Sequence, residues 1–140
     1  MSVFRRMIAM MLFALLPAMA AGLFHPKRPA WNRPAPGNEV ELSAVLQWGP
    51  QVLWVDARAR NLFELDHIPG AVLLNEDEWE SLLDRFLDAW TRDSTVVVYC
   101  SSASCDASQG VAARLKSEAQ IQNVYVLKGG WETWRAAQNK

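Results

Sequence analysis

The sequence predicts a single α/β domain with a mostly parallel central sheet and helices on both faces, preceded by an N-terminal apolar segment. Three continuous apolar runs, at 52–55, 71–74 and 96–99, are typical of strands that are buried on both faces. Between the second and third runs, apolar side chains recur at helical spacing from Trp79 to Trp90, which predicts an amphipathic helix. Because strands alternate with helices, the strands should pair in parallel.

The other predicted elements are shorter. Val40 to Leu42 predicts a strand, and Ser43 is placed to cap a short helix behind it. Asn75 is predicted to cap the amphipathic helix, with the acidic residues 76–78 in its first turn. In the rest of the domain, the sequence predicts a helical turn at 61–65, a helix over about 107–119, a strand at 124–127 and a short helix after Gly129-Gly130.

Length and composition limit the class of protein. A chain of 140 residues builds one domain with its own core, and 51% apolar with 21% charged residues excludes a disordered chain. The formal net charge is −1 and no basic tract stands out, so nucleic acid is not an expected partner. Two cysteines are too few for a small scaffold held together by disulfides.

The first 24 residues predict a signal peptide or a transmembrane anchor. Arg5-Arg6 precedes an uncharged apolar run over 7–24, and Ala18-Met19-Ala20 fits a cleavage site. The run is also close to the length that spans a bilayer, about 20 residues. Either interpretation places the rest of the chain in the periplasm or elsewhere outside the cytoplasm, secreted or anchored to the membrane by an uncleaved segment.

A proline-rich linker follows the apolar run. Residues 25–38 contain four prolines, which favour an extended and semi-rigid spacer. The globular domain is therefore predicted over residues 39–140.

Cys100 is the predicted chemical centre, because it follows the most apolar strand. Ligands of open parallel sheets bind beyond the carboxyl ends of the strands. Small residues and a helix N-terminus come next, so backbone N–H groups and the helix dipole can stabilise a thiolate or a persulfide anion there. The alternative is an inert buried thiol. The predicted active-site loop contains Ser101, Ser102, Ala103, Ser104 and Asp106.

Cys105 lies in the same loop and is a possible resolving thiol. A short loop can bring two sulfur atoms within bonding distance, although a rigid loop can equally hold them apart. Two cysteines alone do not make a zinc site, and the histidines His25 and His67 lie far apart in the sequence, so no metal is predicted.

Asp56, Arg58 and His67 are interpreted as supporting residues. They could be an acid–base set, but Asp56 and Arg58 at a strand end more often bond to each other and to backbone groups. His67 is expected to order the turn that contains Pro69 and Gly70.

Four ordered motifs over residues 39–137 resemble those of the rhodanese family. They are V-D-A-R at 55–58, H-I-P-G-A at 67–71 after Phe63, V-V-V-Y-C at 96–100, and V-Y-V-L-K-G-G-W at 124–131 followed by Trp134. The resemblance implies a rhodanese-like domain over 39–140 that moves sulfane sulfur through a persulfide on Cys100. It also implies a small sulfur donor and a thiophilic acceptor as partners, and no cofactor.

The loop departs from the family's common pattern. Ala103, Cys105 and Asp106 stand where the family often has Gly, Arg and Ser. The missing Arg removes a cation that would hold an anionic donor or the thiolate. Asp106 adds a negative charge that opposes thiolate formation unless it caps the following helix.

Two other functions stay open at this point. Cys100 and Cys105 could form the redox pair of a thiol–disulfide or sulfur-relay protein. The domain could also be a non-catalytic rhodanese-like binding module. A phosphatase is not expected, because no Arg follows the cysteine to bind phosphate.

Overall fold

The computed structural model of the protein describes residues 38–102 and 105–139. The predicted signal peptide or anchor at 1–24 lies outside the described residues, as does the predicted linker except for its last residue. Within the part of the chain that is described, none of the helices has the length and apolar character needed to cross a membrane.

Five parallel strands form one sheet in the order β1-β5-β4-β2-β3, which confirms the predicted α/β class. The central strand β4 pairs with β2 on one side and with β5 on the other, so it has no open edge. The strands are β1 at Glu39–Val40, β2 at Val52–Asp56, β3 at Val72–Leu73, β4 at Thr95–Tyr99 and β5 at Val124–Leu127.

The connections between strands contain the helices, as a parallel sheet requires. A 3-10 turn at Gly49–Gln51 also precedes β2. The α-helices are α1 at Leu42–Val45, α2 at Arg60–Leu65, α3 at Trp79–Ala89, α4 at Ala107–Ser117 and α5 at Gly130–Gln138.

Alternate side chains of β4 enter two separate cores, one on each face of the sheet. Val96 and Val98 belong to a core with residues of α3 and α4, including Phe86. Val97 and Tyr99 belong to the other core, with α1 and the tryptophans of α5 packed against it. Both faces of the strand are therefore buried, which explains its continuous apolar sequence.

The first strand and helix begin earlier than predicted. Leu42 does not extend β1 but starts α1, with Glu41 rather than Ser43 at the N-cap position. Leu42 and Val45 are three residues apart, so both lie on one helix face and both are buried in the second core. Burial of Leu42 and Val45 together favours the helical conformation. The run is too short for its β-strand pattern to outweigh this packing.

The turn before α3 also differs from the prediction. The Oδ1 atom of Asn75 accepts a hydrogen bond from the N–H of Glu78 at 2.8 Å, but the helix begins only at Trp79. Asn75 therefore closes a turn ahead of the helix, as Asn side chains commonly do. Its Nδ2 donates to the Arg58 carbonyl at 3.3 Å, which ties this turn to the end of β2.

We expect Phe86→Ala to lower the free energy of unfolding by about 3–5 kcal/mol, because it removes a fully buried ring from the first core. Leu87→Ala on the same helix is the matched control, since Leu87 is 40% exposed. Urea unfolding measures both. Equal losses for the two variants would contradict this assignment of the core.

Candidate functional site

Cys100 lies immediately after β4, at the carboxyl edge of the sheet. Its side chain and backbone are nearly buried, with 4% of the residue exposed. Asp56 ends the neighbouring strand β2 and pairs in register with Tyr99, so the carboxylate and the cysteine share the same edge. This is the position at which ligands of parallel sheets bind.

The N-terminus of α5 fixes the backbone of Cys100. The Trp131 N–H donates to the Cys100 carbonyl at 2.7 Å, and the Glu132 N–H donates to the Ser101 carbonyl at 3.2 Å. Gly130 makes this close approach possible, because a Cβ atom there would overlap the Cys100 carbonyl oxygen. Its φ of 55° is also one that L side chains rarely adopt. Glycine is therefore required beside the cysteine.

Cys105 is bonded to Cys100 through a disulfide, with the two Cα atoms 6.0 Å apart. The Cys105 N–H donates to the Ser102 carbonyl at 3.2 Å, and the Ser108 hydroxyl donates to the Cys105 carbonyl at 3.5 Å. These contacts hold Cys105 just ahead of α4.

Three of the other predicted loop residues are among those that the structure describes. Ser101 and Ser102 follow Cys100 directly, and Asp106 occupies the N-cap position of α4. Ala103 and Ser104 lie outside the described residues. The Asp106 carbonyl accepts the N–H groups of Gln109 and Gly110 at 3.0 and 3.1 Å, which starts the helix. The positive end of the α4 dipole therefore lies next to the disulfide.

Asp56 and Arg58 form a buried ion pair at the carboxyl end of β2. Asp56 is 0% exposed. Its carboxylate accepts hydrogen bonds from the Arg58 guanidinium at 2.6 to 3.1 Å and from the Arg58 backbone N–H at 2.9 Å. The Tyr99 hydroxyl donates to the same carboxylate at 2.8 Å and accepts the Ile68 N–H at 3.1 Å. These contacts fit a supporting role for Asp56 and Arg58.

The protonation states of this network follow from burial and from the Asp56 charge. Burial and the neighbouring carboxylate raise the pKa of Tyr99 above its ordinary value, so the hydroxyl stays neutral and keeps its proton to donate. Burial by itself would lower the pKa of Arg58, but the hydrogen bonds and the charge of Asp56 outweigh it and raise that pKa. Arg58 is therefore a permanent cation that is already paired.

Arg58 connects this ion pair to the cysteine loop through Trp131. Its guanidinium lies 4.5 Å from the centre of the Trp131 ring, a cation–π distance, and donates to the Asp66 carbonyl at 2.7 Å. Since the backbone N–H of Trp131 holds the Cys100 carbonyl, the network supports the cysteine indirectly.

His67 stacks on Phe63, with ring centres 4.0 Å apart, and its Nδ1 donates to the Phe63 carbonyl at 2.8 Å. These contacts attach His67, which precedes the turn, to Phe63 of α2. A cavity of about 320 Å³ adjoins this turn and reaches Trp131. Asp66 and Arg135 give its lining both charges, which suits a small polar molecule.

Sequence reasoning missed three residues that position the cysteine: Tyr99, Gly130 and Trp131. Tyr99 was assigned only to the strand, although a hydroxyl at the end of an otherwise apolar strand predicts a buried hydrogen-bond partner. The sequence places the Gly129-Gly130 pair ahead of a short helix, and the close contact of Gly130 with Cys100 has no local signal.

The fold and the site together define an α/β domain with a cysteine at the carboxyl end of its central parallel strand. The sequence model of the family described as "Rhodanese-like domain" matches residues 40–137. The chain therefore belongs to the rhodanese-like domain family.

Two relatives and one solved structure illustrate the similarity. "Thiosulfate sulfurtransferase GlpE" of Tolumonas auensis is 33% identical over 96 residues, which cover 69% of this chain and 84% of the relative. The protein of the same description from Pseudomonas fluorescens is 34% identical over 82 residues, which cover 59% and 69%. The solution structure of the rhodanese-like domain from the Anabaena Alr3790 protein aligns with a TM-score of 0.56 and 28% identity, covering 71% of this chain and 74% of that one.

We expect Tyr99→Phe to lower the free energy of unfolding by about 1–3 kcal/mol, because the buried Ile68 N–H loses its acceptor and Asp56 loses a donor. Tyr125→Phe is the control, since the structure gives the Tyr125 hydroxyl no hydrogen bond within the described residues. Thermal and urea unfolding should leave Tyr125→Phe close to wild type. A Tyr99→Phe variant as stable as this control would contradict the network.

Proposed function

We propose that this protein is a sulfurtransferase that moves sulfane sulfur through a persulfide on Cys100. The observation that carries the proposal is the position of Cys100, between the buried strand β4 and the N-terminus of α4, in a chain of the rhodanese-like family. The relatives described as thiosulfate sulfurtransferases support the same reaction class.

In the proposed reaction the Cys100 thiolate attacks the sulfane sulfur of a small donor. A sulfur–sulfur bond forms on Cys100, and the bond within the donor breaks, with the leaving group taking the electron pair. A thiophilic acceptor then attacks the outer sulfur and restores the Cys100 thiolate. No electrons are exchanged with an outside oxidant, and no cofactor is needed for these steps.

The chain would stabilise the anion on Cys100 without a loop arginine. Arg58 lies against the Trp131 ring, but its guanidinium is committed to Asp56 and to the Asp66 carbonyl. The α4 dipole and loop N–H groups remain as the stabilising groups. Because these are weaker than a guanidinium for binding a dianion, we expect a lower affinity for thiosulfate than for less highly charged sulfane donors.

A thiol–disulfide or sulfur-relay function is the second candidate, and the bond between Cys100 and Cys105 favours it. It differs from simple sulfur transfer because it requires both cysteines. A non-catalytic binding module would require neither sulfur atom, and no specific contact in the site favours it.

Cys100→Ser should lower sulfite release from thiosulfate, with a thiol acceptor present, by at least about 1,000-fold, as loss of a nucleophile does. The domain should remain folded, which circular dichroism can verify, because Ser is close to Cys in size. Ser117→Ala is the control and should keep most of the activity, because Ser117 is exposed at the other end of α4 and its hydroxyl donates to the Ala113 carbonyl. Substantial turnover in the reduced Cys100→Ser variant would refute the proposed nucleophile.

We also propose that the domain lies outside the cytoplasm, in the periplasm or at the cell exterior. Arg5-Arg6 and the apolar run up to residue 24 support export, with the segment acting as a cleaved signal or as a membrane anchor. Residues 25–38 would then separate the domain at 39–140 from the membrane or from the cleavage site.

A reporter enzyme that is active only outside the cytoplasm, fused after Lys140, should be active in the full-length fusion. Deletion of residues 1–24 is the matched control and should abolish that activity. Equal activity of a cytoplasm-specific reporter in both fusions would reject export. N-terminal sequencing of the mature protein distinguishes the cleaved signal from the anchor.

A further inference from the structure

The two cysteines differ in burial and are held by different parts of the fold. Cys100 is nearly buried and is fixed by β4 and by the Trp131 N–H, whereas Cys105 is partly exposed and is held at the start of α4. The Cα separation of 6.0 Å is within the range of ordinary disulfides. The backbone of each cysteine is therefore held in place by its own contacts. The disulfide can form and break without a rearrangement of the sheet.

We infer that Cys105 resolves the Cys100 persulfide and makes this protein a sulfane-sulfur reductase, whose product is sulfide and whose electron donor is an external dithiol. The inference rests on the proposed persulfide on Cys100. It assigns to Cys105 the role that an external acceptor has in simple sulfur transfer.

The resolving step balances within the site. The Cys105 sulfur attacks the inner sulfur of the persulfide, which is the Sγ atom of Cys100. The Cys100–Cys105 bond forms, the bond to the outer sulfur breaks, and the outer sulfur leaves as HS⁻ with the proton of the Cys105 thiol. The cysteines lose two electrons and the sulfane sulfur gains them. Because both thiols belong to one short loop, this attack is intramolecular and does not depend on an acceptor binding.

The disulfide state seen here would be the product of that step, and a dithiol reductant would return it to two thiols. Cys105 is the more exposed residue of the two, so a reductant of protein size should attack its sulfur and release Cys100 as the leaving group. The positive end of the α4 dipole lies next to the disulfide, so it stabilises the Cys100 thiolate that is released and leaves it ready for the next donor.

Cys105 occupies the loop position at which the family commonly has arginine. The missing arginine and the second cysteine are therefore a single change at one position. An arginine there would hold an anionic donor or the thiolate by its charge. A thiol there holds no anion, but it can remove the bound sulfur by reduction. This exchange favours a function in which sulfane sulfur ends as sulfide over one in which it passes intact to an acceptor.

The test is a single turnover of the reduced, purified protein with thiosulfate in large excess, which offsets its expected low affinity, and with no added thiol. Sulfite and sulfide are measured separately, and the protein mass is determined under acid quench. Wild type should release both sulfite and sulfide in amounts equal to the chain and end as the disulfide. The rate of sulfide release should not change with protein concentration, as an intramolecular step requires.

Cys105→Ser is the decisive variant. It should release sulfite, hold one added sulfur atom on Cys100 and release no sulfide until an external thiol is supplied. If wild type instead keeps the added sulfur as Cys105→Ser does, the reductase inference is overturned and the proposed sulfur transfer stands. If neither protein releases sulfite or gains sulfur, the proposed sulfur transfer itself is refuted, and the reductase inference with it.

Discussion

The buried carboxylate of Asp56 is the constraint on which the rest of the site depends. A carboxylate with no exposed surface must be fully paired, since an uncompensated buried charge costs several kcal/mol. Its partners come from three places in the chain: the Arg58 side chain and backbone, the Tyr99 hydroxyl and, through that hydroxyl, the Ile68 N–H. One charge thus fixes the ends of two strands and the turn before a third.

This constraint reaches the cysteine through Arg58 and Trp131. The paired guanidinium lies against the Trp131 ring, and the Trp131 backbone holds the Cys100 carbonyl. The absence of a side chain at Gly130 lets α5 approach closely enough for that hydrogen bond. The buried network therefore helps to position Cys100. It does not supply a positive charge to the cysteine, because the charge of Arg58 is already neutralised by Asp56. A loop that lacks arginine can still hold its cysteine in place for this reason, although it binds anions less strongly.

Much of the architecture could be predicted from the sequence because its signals are local. The run from Val96 to Tyr99 is apolar at every position, and only a strand covered on both faces requires this. The short first strand was misassigned at Leu42, because two or three residues carry too little periodicity to separate a strand from a helix turn. Asn75 was predicted to cap the helix, but it closes a turn instead, and the helix begins beyond it at Trp79.

Local patterns in the sequence were sufficient to predict the parallel α/β sheet, the family and the place of Cys100 at the end of the most apolar strand, since each depends on a few consecutive residues. Three contacts were visible only in three dimensions: the Tyr99 hydroxyl bonds to Asp56, 43 residues away, Gly130 lies against Cys100, and Cys100 is joined to Cys105. The first two contacts join remote segments, and the third depends on the direction of two side chains in one loop. Sequence periodicity shows neither contacts between remote segments nor the direction of side chains in a loop. It indicates which face of an element a residue occupies, but not which residue lies opposite.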